Sequence, residues 1–277
     1  MQTKKSPMVS VIIPTYNRGW SVKAAIDSVL AQDYHNIELI VVDDGSTDNT
    51  RNVLEVYQSS LIVIRQQNRG VSAARNSGIA ASKGSFISFL DSDDLWLPEK
   101  LSRQIEFFKA HPKALICQTE EIWIRNDVRV NPKKRHKKPS GMIFEKSLAL
   151  CLVSPSAVMI RKSLFDIIGL FDESLPACED YDLWLRTSAR FPVYLIDKPL
   201  IIKKGGHSDQ LSKMSGLDRF RIRSLNKIIK SGILNNGQHL AAVKTLKQKC
   251  LIYAQGCQLR AREAEARYFF DLAHRYE

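Results

Sequence analysis

The sequence predicts an α/β fold in which a mainly parallel sheet, covered on both faces by helices, is followed by a small helical appendage. Three observations predict it. Strand-length apolar runs alternate with helix-spaced segments through residue 112, the runs are apolar almost throughout rather than at alternate positions, and no strand pattern occurs beyond residue 217.

Val9-Ser-Val-Ile-Ile13 is a β-branched strand stopped by Pro14, and Ser21 to Gln32 places Val22, Ile26, Val29 and Leu30 on one helical face. Ile37 to Val42 is a second strand. It ends in Asp43-Asp44-Gly45-Ser46, after which Thr47 or Asp48 can cap a helix carrying Val53, Val56 and Tyr57. Leu61 to Ile64 gives a third strand, and Val71 to Ala81 an alanine-rich helix whose small side chains let it lie close to the sheet. Phe86 to Leu90 is the fourth strand; Pro98 suits the first turn of a helix with Leu101, Ile105 and Phe108 on one face, ended by Pro112. From Ala114 the rhythm becomes mixed, with strands at Leu115 to Gln118, Ala157 to Ile160 and Val193 to Ile196 and a helix at Asp180 to Arg190. After Leu217 only helical stretches remain, broken at Gly232, Asn235-Asn236-Gly237 and Gly256.

At 277 residues and 44% hydrophobic content the chain can bury a core of ordinary size. Its longest apolar runs fall far short of the roughly 20 residues that span a bilayer. Val9 to Ile13 is too short for a signal-peptide core, so the leading segment with Lys4 and Lys5 reads as unexported and the protein as cytoplasmic. Five scattered cysteines without a CxxC pair read as reduced thiols. The net charge of +12 is concentrated toward the C-terminus, where residues 203 to 277 hold 15 Lys and Arg against 6 Asp and Glu. A second basic block runs from Lys133 to Lys138. Such blocks are ordinarily solvated loops; the sharper readings are an anionic acceptor or peripheral contact with anionic lipid at the inner membrane face. With no aromatic residues interleaved, nucleic acid is not expected as a partner.

In open parallel sheets ligands bind at the carboxyl ends of the strands. Here that rim carries Thr15-Tyr16-Asn17, Asp43-Asp44 and Asp91-Ser92-Asp93-Asp94. A lone acidic turn is ordinarily just a turn, because Asp and Ser bond their own backbone there. Two acidic rims on one sheet repel each other unless a cation lies between them, and hard oxygen ligands suit Mg2+ or Mn2+ bridged to a diphosphate. Arg75, in Ala74-Arg75-Asn76, can neutralise a phosphate, hold a nucleotide or form an ion pair with a rim carboxylate. The first loop, Pro14 to Trp20, has no dinucleotide fingerprint, and no phosphate-binding P-loop occurs, which excludes a dehydrogenase and a P-loop ATPase.

Taken together, Val9-Ser-Val-Ile-Ile-Pro-Thr-Tyr-Asn17, Val41-Val-Asp-Asp-Gly-Ser-Thr-Asp48, Asn68-Arg-Gly-Val-Ser-Ala-Ala-Arg-Asn76, Phe89-Leu-Asp-Ser-Asp-Asp94 and Glu179-Asp180 resemble the ordered motifs of family 2 inverting glycosyltransferases. The resemblance covers residues 9 to 210 and implies a GT-A fold. Residues 9 to 112 would form the donor nucleotide-binding half and 113 to 210 the acceptor-side half, with 217 to 277 as the basic helical appendage. By position it sets Thr15, Tyr16 and Asp44 against the base, Arg75 nearby, and Asp91, Ser92 and Asp93 at the ribose, diphosphate and metal, with Asp93 the foremost ligand. Asp180 corresponds to the catalytic base, and a helix start there favours its ionised form. His207, in Gly205-Gly-His-Ser-Asp-Gln-Leu-Ser212, lies where the family places a histidine near the diphosphate; flanking glycines suit a closing loop that adds a metal ligand. The implied activity is metal-dependent transfer of a sugar, from a UDP-sugar or else a thymidine or guanosine one, to a saccharide or lipid-linked acceptor in cell-surface polysaccharide or glycolipid assembly. The acceptor side is expected along Trp123, Arg135 and Ser154-Pro155-Ser156. The alternatives are a catalytically retired nucleotide-sugar scaffold and a sugar nucleotidyltransferase, which would need a glycine-rich first loop.

Overall fold

The structure, a computed structural model, describes residues 6 to 207 and 210 to 276; Lys4, Lys5, Ser208 and Asp209 lie outside the described residues. The chain opens with β1 (Val9–Thr15), α1 (Val22–Leu30), β2 (Ile37–Asp43), α2 (Thr50–Glu55), β3 (Ile62–Arg65), α3 (Val71–Ala81) and β4 (Phe86–Phe89). It continues through β5 (Leu95–Trp96), α4 (Lys100–Ala110), β6 (Ile116–Arg125), β7 (Val128–Val130), α5 (Phe144–Ser147), β8 (Val158–Arg161) and α6 (Leu164–Ile168). The last elements are α7 (Glu179–Ser188), β9 (Tyr194–Gly205), α8 (Leu217–Lys230), α9 (Asn236–Gln258) and α10 (Glu263–His274).

Among the described residues one nine-stranded sheet runs in the order β3-β2-β1-β4-β8-β6-β9-β5, with β7 hairpinned onto β6. The first four strands pair in parallel, as expected. Beyond them the half expected to be mixed is mixed: β6 and β9 pair in parallel, but the other pairings run antiparallel, so the sheet as a whole is not mainly parallel. β8 is antiparallel to both β4 and β6, and β5 to β9, so the sheet is mixed. The physical reason is that β8 enters between β4 and β6 from a loop rather than from a crossover helix, which frees it to run in reverse. The strand expected at Val193 to Ile196 extends to Gly205, and the register irregularity between Thr119 and Glu121 admits Pro199 into the ladder.

Both faces of the sheet are covered. One core joins β1, β2, α1 and α4 through Val11, Ile13, Ile26, Val41 and Leu101; the other joins Ile12, Ile40, Ile87, Ile160 and Trp184. The close approach expected of α3 is present: a Cβ on Gly78 would stand 2.4 Å from Ile12 Cγ2. At the C-terminus, α8, α9 and α10 share a third core with α7 and α5, through Tyr181, Leu185, Leu225, Leu246 and Phe269. Gly256 does not break α9, which runs unbroken from a capping box at Asn235 and Gln238. No described helix is long and apolar enough to cross a membrane, and none of the five cysteines is paired.

Candidate active site

The carboxyl ends of β1, β2 and β4 open into a cleft of about 910 Å³, whose lining includes Thr15, Tyr16, Asp44, Arg75, Asp91, Ser92, Asp93 and Asp180. Its loops are locked by their own polar residues. Asn17 adopts a left-handed backbone, which Asn tolerates, and its Oδ1 accepts from Thr47 N at 2.8 Å, tying the first loop to the second. Asp43 Oδ1 accepts from Ser46 N at 2.9 Å, so this acid is a turn former. Asp44 faces the other way. Its Oδ2 accepts from Gly70 N at 2.8 Å and its Oδ1 from Arg69 N at 3.0 Å and Gln66 Nε2 at 2.7 Å, while Tyr16 stands 45% exposed beside it in the cleft lining.

The acidic turn after β4 is held by groups remote in sequence. Asp91 N donates to Ser156 Oγ at 3.1 Å, and Ser156 Oγ donates to Asp94 Oδ2 at 2.7 Å. Asp94 Oδ1 in turn accepts from Lys204 N at 3.0 Å, joining the turn to the end of β9. Beyond that end, His207 Nε2 lies 2.7 Å from Asp93 Oδ2, and the His207 ring meets Trp20 edge-on. Burial and the neighbouring Asp91 charge push the Asp93 carboxyl up, against the pull of His207 and Arg18; burial pushes Asp94 well above the usual range. Asp93 Oδ2 and His207 Nε2 thus bond each other, and a carboxylate oxygen beside an imidazole nitrogen is a donor set that suits Mn2+ better than the all-oxygen preference of Mg2+. Among the described residues no three His, Cys, Asp or Glu side chains converge, so most of such an ion's coordination would come from substrate phosphate and water.

Of the openings left for Arg75, the ion pair is the one formed. Buried on α3, it donates from Nη2 to Asp91 Oδ1 at 2.8 Å and from Nη1 to Glu179 Oε1 at 2.5 Å. Burial opposes the guanidinium charge, but the two carboxylates outweigh it and hold it firmly protonated. Burial pushes Glu179 up to about 6 against the pull of Arg75. The bridge ties the acidic turn to the start of α7, where Asp180 Oδ1 accepts from Tyr181 N at 2.7 Å and Asp180 Oδ2 accepts from Cys151 Sγ at 3.5 Å. Cys178, the residue before α7, takes a left-handed backbone, which turns the chain sharply into that helix.

Residues 10 to 168 match the profile of Glycosyl transferase family 2. The chain belongs to this family. An uncharacterized glycosyltransferase of Rickettsia typhi is 39% identical over 214 residues, which cover 76% of this chain and 67% of that protein. Three further rickettsial relatives are matched over only 35%, 31% and 35% of their length, so the chain spans about a third of those proteins. The UDP-Glc:alpha-D-GlcNAc-diphosphoundecaprenol beta-1,3-glucosyltransferase WfgD of Escherichia coli is 36% identical, over 64% of this chain and 68% of that one. The fold of this family 2 chain is that of S. aureus TarS 1-349 in complex with UDP-GlcNAc (TM-score 0.74, 21% identity, 96% of this chain and 79% of that one). It is also that of the mannosyltransferase PcManGT from Pyrobaculum calidifontis in complex with GDP-Man and Mn2+ (TM-score 0.61, 18% identity, 98% and 76%).

Several residues of the cleft were not singled out by sequence reasoning. Lys203 on β9 lines it and donates to Ser154 Oγ at 3.3 Å; burial opposes its charge, but Glu121, Asp94, Asp91 and Asp180 outweigh that and hold it above the usual lysine range. Lys138 belongs to the block read as a solvated loop, yet it is buried. Its Nζ donates to Glu121 Oε1 at 2.8 Å and to Thr119 O at 2.9 Å. Of the residues expected along the acceptor side, Trp123, Ser154 and Pro155 line the cleft, whereas Ser156 lies outside the lining and Arg135 is exposed outside it. Asp94 was visible as the fourth residue of the acidic turn, but nothing local marks Ser156 and Lys204 as its partners.

Proposed function

We propose that this chain is an inverting glycosyltransferase moving a sugar from a nucleotide-diphosphate donor, in the first instance a UDP-sugar, to an acceptor hydroxyl during cell-surface polysaccharide or glycolipid assembly. The observation that carries the reading is that one cleft holds both the acidic turn Asp91-Ser92-Asp93 and Asp180, with Arg75 bonded to Asp91 of the turn and to Glu179 beside Asp180. The named specificity of the E. coli relative supports a diphospho-lipid-linked saccharide as acceptor class. The UDP-GlcNAc and GDP-Man of the related structures support the donor class.

In this reading Thr15, Tyr16 and Asp44 hold the base, with the exposed Tyr16 ring available for stacking. Asp91 and Ser92 face the ribose and diphosphate, while Asp93 and His207 would hold Mn2+ or Mg2+. When bound, the ion neutralises charge on the departing diphosphate. Asp180 takes the proton from the acceptor hydroxyl. The freed oxygen bonds to the anomeric carbon as the bond from that carbon to the diphosphate oxygen breaks on the opposite face, so configuration inverts. Arg75 ties the two halves together and, as part of the cleft lining, is also placed to meet the donor. A lipid-linked acceptor would bring the chain to a membrane surface, where the cation surplus after residue 203 suits peripheral contact with anionic lipid.

The test is release of nucleoside diphosphate from a panel of UDP-, GDP- and TDP-sugars with and without Mn2+. Metal-stimulated release from one donor class supports the reading. Donor binding without turnover would favour the retired scaffold, and neither binding nor turnover with any donor would contradict both readings.

A further inference from the structure

The wall of the cleft that carries Asp180 holds a cation for which the reaction above has no use. Arg221 comes from the second turn of α8, outside the residues matched by the family profile, and lines the same cleft as Asp180. Its Nη1 donates to Asp218 Oδ1 at 3.1 Å, while its Nε is buried with no hydrogen-bond partner. A buried donor left unpaired on a charged group is costly, and an oxyanion entering the cleft is the kind of acceptor that would satisfy it. Asp218 does not cancel its charge. The same carboxylate oxygen also accepts from Lys249 Nζ at 3.1 Å, which leaves two cations against one anion.

The start of α8 is tied to the start of α7, since Cys178 Sγ donates to Leu217 O at 3.8 Å, and Cys178, Asp180, Leu217 and Arg221 line the same cleft. Lys203, on β9, is a second cation lining the cleft and within electrostatic reach of Asp180. The acidic turn presents the opposite sign, since Asp91, Asp93 and Asp94 repel an anion unless a metal intervenes. On the wall of Asp180, by contrast, Arg221 and Lys203 are cations that an anion can meet without a metal, set against the carboxylates of Glu179 and Asp180.

We propose that Arg221 is a phosphate-binding residue of the acceptor subsite, and that the acceptor is a phosphorylated saccharide whose phosphate pairs with this guanidinium while a sugar hydroxyl faces Asp180. The proposal rests on the transferase reading and adds the residue that would hold the acceptor's phosphate. A guanidinium fork matches phosphate geometry in a way that Lys does not. Because the residue lies on α8, the helical segment after residue 217 completes the site instead of merely capping the fold.

The test titrates two probes onto the full chain after its donor site has been filled with the nucleoside diphosphate that stabilises it best. One probe is N-acetylglucosamine α-1-phosphate and the other the uncharged methyl α-glycoside of the same sugar. Wild-type protein should bind the phosphate form about tenfold or more tighter, in keeping with one charge-assisted contact. Arg221→Gln should lose most of that preference while binding the methyl glycoside and the nucleotide as before, and Arg221→Lys should keep part of it. Unchanged nucleotide affinity in both variants shows that they are folded. No preference in wild type, or a preference surviving in Arg221→Gln, overturns the proposal. A third probe, the decyl diphosphate ester of the sugar, separates the two sources of such a phosphate: tighter binding than the monophosphate marks a lipid-linked acceptor, and equal binding a phosphorylated glycan. If no nucleoside diphosphate stabilises the protein, the transferase reading fails, whereas a failed probe comparison with nucleotide binding and donor turnover intact strikes Arg221 alone.

Discussion

On one wall of the cleft Thr15, Tyr16 and Asp44 sit on loops at the ends of β1 and β2, held by bonds such as Thr47 N to Asn17 Oδ1 and Gly70 N to Asp44 Oδ2 that close within about 30 residues. On the facing wall the start of α7 and the end of β9 are placed by Arg75 Nη1 to Glu179 Oε1 and Lys204 N to Asp94 Oδ1, which close over 104 and 110 residues. The first wall is specified locally, by residues whose types suit the turn they occupy. The second is specified by charge pairs that exist only once the chain has folded. Damage to the first should therefore remove ligand binding from an intact protein, and damage to the second should loosen the protein as well.

The largest expected effect lies on the second wall. Arg75→Met leaves Glu179 buried without its cation and should cost about 3–5 kcal/mol of unfolding free energy, read by denaturant titration. If instead stability is kept and only turnover falls, Arg75 is a ligand-binding group rather than a strut. Next comes the acidic turn itself: Asp93→Asn should cut metal-stimulated turnover by about 10²–10³ with little change in melting temperature. A loss of fold would erase the contrast between the two walls. Ser156→Ala removes the hydroxyl that clamps Asp91 N and Asp94, and should cost about 1–3 kcal/mol while weakening donor binding.

The smallest effect tests a pair that supports the second wall without reaching the chemistry. Burial opposes the Glu121 charge, but Lys138 and Lys203 hold its carboxyl down at about 2. Its folded pKa is thus depressed below the unfolded value of about 4.3, so its stabilisation is present above that value and is lost as pH falls toward 2. Replacing both partners, Glu121→Gln with Lys138→Met, should leave stability at pH 7 within about 1 kcal/mol of wild type. It should also flatten the acid limb between pH of about 4.5 and 2. An unchanged acid limb would remove this pair from the account.

The contrast also explains what could be read before folding. β1 to β4 were legible because each is a near-continuous apolar run paired with a neighbour in parallel, and the ligand loops because turns select Asp, Asn and Gly there. The mixed rhythm beyond Ala114 was legible too, but β5 is two residues long and β9 passes through Pro199, so neither β5 nor the run of β9 on to Gly205 carried a strand signal. Lys138 looked like the last cation of a solvated run, since nothing in Lys133 to Lys138 signals that Glu121 will receive it. Arg75 was visible as a cation, but whether it would face a phosphate or a carboxylate was decided by Glu179, 104 residues away. Arg221 lay beyond every motif, on a helix whose sequence shows only that it is amphipathic and basic.

The central claim is that the two walls form one site, in which Asp180 acts on an acceptor while the acidic turn holds the donor. Parallel measurement of nucleotide-sugar affinity and of transfer in Asp180→Asn tests it most directly. Affinity should stay within about twofold of wild type while transfer falls by about 10²–10⁴, the range for removal of a general base. Undiminished transfer, or loss of donor binding together with transfer, would contradict it.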